Sequence, residues 1–371
     1  MEKARIVIIG AGVVGLAVAA RLSEENQDVY LLEENERFGQ ETSSHNSGVI
    51  HSGIHYRPGS LKAQLCVEGN RMLYDLCEKH GVPFKRLGKL TVAVGDEEVE
   101  EVERLMRQGE ANGVEGLKMM GREEVKRLEP MVEVERALYS PSTGILEPDE
   151  LMNHFYAEVQ RHGGLFVPLT EVTGVAKGDD GYVVGGVSGG EKFEVRAEAV
   201  VNCAGLNSDK VASMAGLHVD ELGYRLFWCK GDCFRVGGRP LVKMLVYPVP
   251  KGAGLGIHLT PDMAGGIRLG PNAYYVERVS YEVESSEKEF REDVQRFVPS
   301  IANREIRADS AGVRPKLEGP GMGFRDFVIR HEADRGLFGF INLVGIESPG
   351  LTASPAIAEL VSRIYRDEIG R

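Results

Sequence analysis

The chain of 371 residues is 42% hydrophobic and 27% charged, a composition that excludes a disordered or fibrous protein, and its length allows two domains. The 44 basic and 56 acidic residues give a net charge of −12, which argues against a nucleic-acid-binding protein. Five scattered cysteines predict a reducing, cytoplasmic protein without a disulfide framework, and a peripheral position at an inner membrane stays open. The one sustained apolar stretch, residues 6–20, is too short and too rich in glycine to predict a transmembrane segment.

A nucleotide-binding turn is predicted near the amino-terminal end. Residues 5–9 are a β-branched run typical of a strand buried on both faces, and the motif Gly10-x-Gly12-x-x-Gly15 follows. In such a turn the first glycine permits the tight bend, and the second lets the main chain approach a pyrophosphate. The third lets the next helix, expected over residues 16–22, pack on the sheet, and the amino end of that helix favours phosphate.

A second strand and an acidic residue complete this pattern. Val29–Leu32 predicts the strand, and Glu33 follows it at close to the ~20-residue spacing expected for the acid that binds an adenosine ribose. A glycine-rich turn without a ligand is the alternative for the motif alone. Because strand, turn, helix, strand and acid occur in the required order, we predict a dinucleotide site, with Glu34 as the neighbour of the ribose-binding acid.

The loop over residues 41–56 is dense in small hydroxyl and amide side chains and contains His45, His51 and His55. Small hydrogen-bond donors allow close packing against a flat polar ring system. An ordinary polar connection, in which the histidines are incidental, is the alternative.

Beyond this loop the chain alternates between predicted helices and strands. Helices are expected over residues 61–80, 96–112 with Asp96 as its N-cap, 121–128 and 147–161. Strands are expected over residues 89–94, 165–167, 171–176, 182–187, 192–195 and 198–202. The last strand leads into Cys203, Ala204 and Gly205, whose small side chains let the main chain approach a cofactor. A plain strand-to-helix turn is the alternative there.

Residues 222–317 form a second block, with strand signals at 226–236, 245–249 and 254–259 and a closing helix over 284–298. Their alternation predicts an antiparallel sheet with one face against a ligand cavity. A strand over 337–343 and a run of small residues then precede a helix that begins at Leu351 or Thr352 and continues to about residue 366. A simple loop before that helix is the alternative to a cofactor contact.

Four segments together carry a family resemblance: the turn at residues 10–15, Asn46-Ser-Gly-Val-Ile-His-Ser-Gly-Ile-His-Tyr56, Gly312-Val-Arg-Pro-Lys316 and Gly345-Ile-Glu-Ser-Pro-Gly-Leu-Thr352. The chain resembles the L-2-hydroxyglutarate dehydrogenase or oxidase branch of the D-amino-acid-oxidase (DAO) superfamily of FAD enzymes over nearly its whole length. It departs at His55, where that branch usually carries tyrosine and the related glycerol-3-phosphate dehydrogenases carry arginine.

The resemblance implies an α/β fold with two interleaved domains. A Rossmann-like FAD-binding domain of the glutathione-reductase-like, DAO type is expected over residues 1–84, 146–220 and 325–371. An α+β substrate domain, built on an antiparallel sheet, is expected over residues 85–145 and 221–324.

FAD is the cofactor that the resemblance implies. The last helix would place its amino end beneath flavin N1 and the C2 carbonyl, where its dipole favours the anionic reduced ring. The residues expected to contact FAD are Gly10, Gly12, Val13, Val14, Gly15, Glu33, Glu34, Thr42, Ser43, Ser44, Asn46, Ser47, Gly48, Val49, His51, Val172, Cys203, Ala204, Gly205, Arg314, Gly345, Ile346, Glu347, Ser348, Pro349, Gly350, Leu351 and Thr352.

Oxidation of a 2-hydroxy acid requires a clamp for the carboxylate, a base for the hydroxyl proton and a hydride-donor carbon over flavin N5. Arg314 is the expected clamp, because a guanidinium binds a carboxylate bidentately, and a surface ion pair is the alternative. His51 is the expected base, since imidazole titrates near neutral pH and the related glycerol-3-phosphate enzymes keep a histidine at the matching place. A structural role for His51 is the alternative, and His258 is the second candidate.

Four further residues are expected to bind substrate. His55 and Tyr56 would contact the far carboxylate of a dicarboxylic substrate, Lys316 would assist that carboxylate, and Tyr247 would line the cavity.

The sequence therefore predicts an FAD-dependent oxidoreductase that converts an L-2-hydroxy acid, above all L-2-hydroxyglutarate, into the 2-oxo acid. The alternatives are an amine or glycine-type oxidase that attacks a C–N bond, a glycerol-3-phosphate dehydrogenase and, more remotely, a non-catalytic FAD-holding assembly protein. The electron acceptor is left open between O2, a quinone and a carrier protein.

Overall fold

The computed structural model describes residues 2–250 and 254–370. Within them the strands are, in chain order, β1 (Glu2–Ile9), β2 (Val29–Leu32), β3 (Val49–Ile50), β4 (Phe84–Lys85), β5 (Lys89–Ala93), β6 (Lys118–Gly121), β7 (Arg136–Ser140), β8 (Gly144–Leu146), β9 (Leu165–Val167), β10 (Thr170–Gly178), β11 (Gly181–Ser188), β12 (Glu191–Asn202), β13 (Phe227–Val236), β14 (Leu245–Pro248), β15 (Leu259–Pro261), β16 (Ile267–Leu269), β17 (Tyr274–Val276), β18 (Ile306–Lys316), β19 (Val328–His331) and β20 (Phe340–Val344). The α-helices are α1 (Val13–Ser23), α2 (Leu61–His80), α3 (Asp96–Ala111), α4 (Arg122–Leu128), α5 (Pro148–Arg161), α6 (Ser208–Met214), α7 (Glu287–Gln295) and α8 (Gly350–Ile364).

The first sheet is parallel at its centre. Its parallel strands follow the spatial order β20, β12, β1, β2, β9, and β10, β11 and β19 join them in antiparallel pairs. The long strand β12 pairs with β11 through residues 191–197 and with β20 through residues 200–202. The glycine-rich turn lies at the carboxyl end of β1, the edge at which open α/β sheets bind ligands.

Burial on both faces explains the apolar run in β1. Ile6 and Ile8 share one hydrophobic cluster with residues of α1, α5 and α8, while Val7 and Ile9 share another with the β10–β12 hairpins and α6. All four side chains are buried. A central parallel strand has no solvent face, so it shows no polar alternation.

The second sheet has the spatial order β17, β13, β16, β15, β14, β5, β7, β6, with β18 beside β13. Its described pairs are antiparallel except β14 with β5, which run parallel. The expectation of an antiparallel sheet is thus corrected at that pair. A third, small sheet consists of β3, β8 and β4.

The predicted helices are all present, but several begin at other residues than expected, among them α3 and α7. The N-cap of α3 is Gly95, so Asp96 belongs to the first turn, where its charge favours the helix dipole. The helix expected over 284–298 is shorter, because Glu284 N and Ser285 N donate to the Asp232 carboxylate and α7 begins only after Ser286.

Three strand predictions also change. The strand expected over 337–343 begins only at Phe340, because Phe340 N donates to the Leu337 carbonyl oxygen in a turn in which Gly339 has φ +90°. The strand expected over 254–259 begins only at Leu259, since Gly256 has φ +77°, a left-handed conformation that interrupts a strand, and His258 therefore precedes β15. The segments expected over 192–195 and 198–202 form the single strand β12, because β11 and β20 pair with it in succession.

The strands of the two large sheets agree with the proposed division into interleaved domains. The first sheet takes its strands from residues 2–32, 165–202 and 328–344, and the second from residues 89–140 and 227–316. We retain the boundaries given above as a proposal, which this distribution supports.

Substitution of Gly15 by alanine should destabilise the first sheet. A Cβ at Gly15 would lie 1.9 Å from the Gly10 carbonyl oxygen, which is main chain and cannot turn away. We expect Gly15→Ala to lower the free energy of unfolding by roughly 1–3 kcal/mol or more, measured by urea denaturation. Gly323→Ala is the matched control, because no heavy atom lies within 4 Å of a Cβ there. A Gly15 variant as stable as the control variant would contradict the prediction.

Candidate active site

A cavity of about 460 Å³ is lined by residues of both large sheets and of the segments between them. Four segments that are distant in sequence form much of its wall: the start of α1, the loop between β2 and β3, strand β18 and the segment before α8. These are the four segments that carried the family resemblance. Their meeting at one cavity supports a single binding site.

Most of the predicted site residues line this cavity. The predicted substrate residues His55, Tyr56, Tyr247 and Lys316 do, and so does His258, the second candidate for the base. The predicted cofactor residues that line it are Gly12, Val13, Val14, Gly15, Thr42, Ser43, Asn46, Ser47, Val49, His51, Cys203, Gly205, Arg314, Ile346, Glu347, Ser348, Pro349, Gly350 and Leu351.

The other predicted cofactor residues lie outside the cavity wall; they are Gly10, Glu33, Glu34, Ser44, Gly48, Val172, Ala204, Gly345 and Thr352. Ser44 and Glu34 are exposed, and Val172 is packed in the hydrophobic cluster that also holds Val7. A Cβ on Gly48 would meet the Leu146 carbonyl oxygen at 2.5 Å. This placement does not support direct cofactor contacts for Ser44 and Val172, and it gives Gly48 a packing role.

The glycine-rich turn packs tightly against the end of β12. Gly10 has φ +98°, and a Cβ there would lie 2.6 Å from the Cys203 carbonyl oxygen and 2.9 Å from the Ala204 Cα. The small residues after β12 therefore serve this packing in addition to lining the cavity. Helix α1 begins at Val13, three residues earlier than expected, and Val13 N donates to Ser43 Oγ at 2.9 Å.

Glu33 directly follows β2 and is 7% exposed. Its carboxylate holds the glycine-rich turn by hydrogen bonds. Ala11 N donates to its Oε2 at 2.8 Å, and Asn35 N donates to its Oε1 at 3.0 Å. Asn35 Nδ2 also donates to Oε1, at 2.9 Å, so three of the about four acceptor positions of the carboxylate are filled and one is left for a ribose hydroxyl. Glu34, by contrast, accepts from Asn207 at the surface.

A hydroxyl joins the histidine loop to the last helix. Thr352 Oγ1 donates to the Val49 carbonyl oxygen at 3.2 Å and accepts from His51 N at 3.0 Å. The helix begins at Gly350, one residue before the expected start. Through Thr352 the position of the His51 main chain depends directly on α8.

A buried ion cluster lies in the cavity wall. Lys62 Nζ and Lys316 Nζ are 2.9 and 3.0 Å from Glu347 Oε1, and Lys316 Nζ is 3.3 Å from Glu318 Oε2. The two lysines hold the pKa of Glu347 below its usual range against the effect of burial. Lys316 pairs with two carboxylates, so its charge is largely balanced within the protein, and its contact with a substrate carboxylate stays a prediction.

His51 has one buried ring nitrogen and one that faces a hydroxyl. Its Nε2 is 3.4 Å from Ser348 Oγ, which in turn is 3.3 Å from the Tyr56 hydroxyl, whereas Nδ1 is buried without a hydrogen-bond partner among the described residues. Burial, with the positive charge of Lys89 and the neighbouring His258 and Arg314, lowers the pKa of His51 to about 3. The expectation that this imidazole titrates near neutral pH is therefore wrong, and His51 is neutral at working pH.

His258 stacks on Tyr247, with ring centroids 3.7 Å apart and an interplanar angle of 17°. Its Nδ1 is 2.9 Å from the Gly256 carbonyl oxygen, so Nδ1 carries the proton and Nε2 is the acceptor. Burial lowers the pKa of His258 to about 3 as well. Stacking and the carbonyl bond hold this ring in place.

Arg314 lies on β18 opposite Cys229, and its Nη1 is 3.9 Å from Cys229 Sγ. Over residues 2–250 and 254–370, no carboxylate forms an ion pair with its guanidinium. The alternative of a surface ion pair is therefore excluded for those residues, and the guanidinium is available to an anionic ligand at the cavity wall.

Two lysines at this site were not predicted from the sequence. Lys62 belongs to the ion cluster, and Lys89 on β5 is 1% exposed with Nζ 3.0 Å from His55 Nε2. Burial lowers the pKa of Lys89 to about 7. The signal in the sequence was the alternation of β5, which places Lys89 on the face opposite the apolar side chains. In the structure both faces of this strand are buried.

The chain is similar to known flavoenzymes in sequence and in structure. The family model described as FAD dependent oxidoreductase (DAO) matches residues 5–364. L-2-hydroxyglutarate dehydrogenase, mitochondrial, of Arabidopsis thaliana is 35% identical over 98% of this chain and 84% of its own length. Glycerol 3-phosphate dehydrogenase of Caloramator mitchellensis is 33% identical over 98% of this chain and 74% of its own. The solved structure of dithionite-reduced L-alpha-glycerophosphate oxidase from Mycoplasma pneumoniae, with FAD bound, has a TM-score of 0.84 and 28% identity over 99% of this chain and 95% of that one.

The residues present fit FAD. The start of α1 reaches the cavity at Gly12 and Val13, where main-chain N–H groups and the helix dipole favour a pyrophosphate. A Cβ on Gly12 would lie 2.9 Å from Ser43 Oγ, so a side chain there would fill the approach to the helix end. Glu33 is placed to accept from a ribose. The segment before α8 would hold the remaining part of the cofactor.

Removal of the Glu33 carboxylate should weaken FAD binding. We expect Glu33→Ala to reduce FAD affinity by on the order of 1–3 kcal/mol, because ribose hydroxyls lose a charged acceptor and Ala11 N loses its partner. FAD fluorescence recovery during equilibrium dialysis measures the change. Glu34→Ala, at the exposed neighbouring position, is the control and should keep the parental affinity. Equal FAD affinity in the Glu33 variant and the parent would show that this carboxylate does not bind the cofactor.

Proposed function

This chain belongs to the family of FAD-dependent oxidoreductases (DAO), and we propose that it oxidises an L-2-hydroxy acid, above all L-2-hydroxyglutarate, to the 2-oxo acid. The substrate is suggested by the relative from Arabidopsis thaliana, whose name carries that activity, and by its match to 98% of this chain. In this reaction C2 loses a hydride and its hydroxyl loses a proton, so that the C–OH group becomes a carbonyl.

The observation that carries the proposal is the pairing of Arg314 with His51 at one cavity. Arg314 supplies a guanidinium that no described carboxylate neutralises, and His51 supplies a neutral imidazole. A 2-hydroxy acid presents a carboxylate and a hydroxyl on adjacent carbons, so a clamp and a base in one cavity match its two functional groups.

Arg314 and His51 have separate tasks in this reaction. Arg314 binds the C1 carboxylate and thereby holds C2 in one orientation. His51 accepts the hydroxyl proton at Nε2, the ring nitrogen near Ser348 Oγ, since Nδ1 is buried. FAD, when bound, would supply the hydride acceptor for C2.

Glycerol 3-phosphate is the second candidate substrate, because relatives named for that activity match the chain in sequence and structure. His55 stands where the glycerol-3-phosphate dehydrogenases carry arginine, so one cation expected for a phosphate is missing. Anaerobic reduction of the flavin by each compound in turn, followed by product analysis, tests the two candidates. Amine oxidation is tested in the same way with glycine.

The cytoplasmic location and the electron acceptor stay proposals. The five cysteines are all free and buried, which agrees with a reducing compartment, although the relative from Arabidopsis thaliana is named mitochondrial. Within the part of the chain that the structure describes, no helix is both long and apolar enough to cross a membrane. Re-oxidation of the reduced protein with O2 or with a quinone distinguishes two of the three acceptors.

Substitution of Arg314 should weaken substrate binding more than it slows the chemical step. If Arg314 holds the carboxylate equally in the ground and transition states, Arg314→Ala should raise the Kd from flavin-reduction titrations by an amount worth roughly 2–5 kcal/mol. Arg307→Ala is the control, because Arg307 lies on the same strand at an exposed position. A parental Kd in the Arg314 variant would mean that another group binds the C1 carboxylate.

His51 should act as a base without an acid limb near neutral pH. A pKa of about 3 leaves His51 deprotonated as the pH falls from 7 to about 5, so the limiting rate of flavin reduction should stay flat over that range, whereas substrate affinity should change as Lys89, with a pKa of about 7, gains its proton. Stopped-flow reduction with L-2-hydroxyglutarate should be slowed roughly 10²–10⁴-fold in His51→Ala with little change in Kd. The exposed His218→Ala serves as control. A parental rate in the His51 variant would move the base to His258, and an acid limb near pH 6.5 would contradict the lowered pKa.

A further inference from the structure

Most cations around the cavity are neutralised by a carboxylate of the protein. Arg104 donates to both oxygens of Glu101, at 2.6 and 2.7 Å. Lys62 and Lys316 share Glu347 within the ion cluster described above. These three cations therefore offer little net charge to an anionic ligand.

Two cations have no such partner. Neither Arg314 nor Lys89 forms an ion pair with any carboxylate in residues 2–250 and 254–370. Lys89 is buried on β5, with Nζ 3.0 Å from His55 Nε2 and 4.8 Å from the ring centroid of Tyr247. Both His55 and Tyr247 line the cavity, so Lys89 reaches the site through them.

A buried cation without a counter-charge costs free energy in the folded protein, and burial lowers the pKa of Lys89 to about 7, so a carboxylate bound nearby would favour its charged form. The hydrogen bond from Lys89 to His55 satisfies one donor but adds no negative charge. Arg314 lines the same cavity as His55 and Tyr247, the two residues that Lys89 contacts, so both cations act on one site. An anion with two carboxylates would neutralise both.

We propose that Lys89 selects substrates that carry a second carboxylate, by placing an uncompensated positive charge behind His55 at the end of the cavity. The inference rests on the proposed function, in which Arg314 binds the C1 carboxylate. Lys89 is a positioning residue, because it is buried behind His55. The second carboxylate would contact the cavity wall at His55, and Lys89 holds and polarises the His55 ring through their hydrogen bond. A 2-hydroxy acid without a second carboxylate gains nothing from this charge.

Binding of two non-reacting acids to the FAD-loaded protein tests the proposal. Glutarate carries two carboxylates and butyrate carries one, and each is titrated under anaerobic conditions while the flavin absorbance is followed. The parent should bind glutarate more tightly than butyrate. Lys89→Met should weaken glutarate binding roughly 10- to 100-fold and leave butyrate unchanged. In turnover, KM for L-2-hydroxyglutarate should rise while the limiting rate of flavin reduction stays within a few-fold of the parent.

Two variants control for a structural effect. Thr91→Val changes a buried residue on the same strand and should keep the parental preference for glutarate. Lys89→Arg retains the charge and should restore part of that preference. Equal losses of glutarate and butyrate binding in Lys89→Met, an unchanged glutarate Kd, or a parent without a preference for glutarate would each overturn the proposal.

The outcome is separable from that of the proposed function. A parent that prefers glutarate but whose flavin is not reduced by L-2-hydroxyglutarate would overturn the proposed reaction and leave the dicarboxylate subsite standing. If L-2-hydroxyglutarate reduces the flavin but glutarate binds equally well to Lys89→Met and the parent, the dicarboxylate subsite is overturned and the proposed reaction stands.

Discussion

The nucleotide side of the cavity depends on how closely the turn between β1 and α1 approaches the end of β12. A Cβ at Gly10 would lie 2.6 Å from the Cys203 carbonyl oxygen, and one at Gly15 would lie 1.9 Å from the Gly10 carbonyl oxygen. Only glycine permits both contacts, and together they fix the position at which α1 begins. Helix α8 packs against α1, so the segment that precedes α8 takes its place in the cavity wall from the same contact.

The positive charges of the site fall into two groups with different consequences. Lys62 and Lys316 are balanced by Glu347 and serve to hold the segment before α8 in place. Arg314 and Lys89 lack a balancing carboxylate among the described residues, and their positive charge adds to the effect of burial, which keeps the neighbouring imidazoles neutral. The lowered pKa keeps each imidazole deprotonated at neutral pH and also makes it a weaker base than a free imidazole.

Local patterns in the sequence predicted the elements whose cause is local. Both bounds of α2 were correct, since Ser60 caps its start and Gly81, in the left-handed region, ends it. The glycine turn, the acid at Glu33 and the cavity position of Arg314 likewise follow from short motifs. Lys89 was missed because its partner His55 lies on a distant loop and its burial depends on the packing of whole sheets. The pKa of His51 was misjudged for the same reason: three of its neighbours come from other segments.

The contact between α1 and α8 joins segments that are synthesised at different times. The parallel sheet places β1 beside β12 and β20 beyond it, and the side chains of α1 meet α8 through the ion pair of Arg21 Nε with Glu359 Oε1 at 2.8 Å. A chain growing from its amino end therefore produces the glycine turn early, but the cavity wall is complete only once α8 has left the ribosome. Until then the apolar faces of β1 and α1 lack their partners and are open to aggregation or to a chaperone. Contacts between such distant segments also slow folding, because loop closure must precede them.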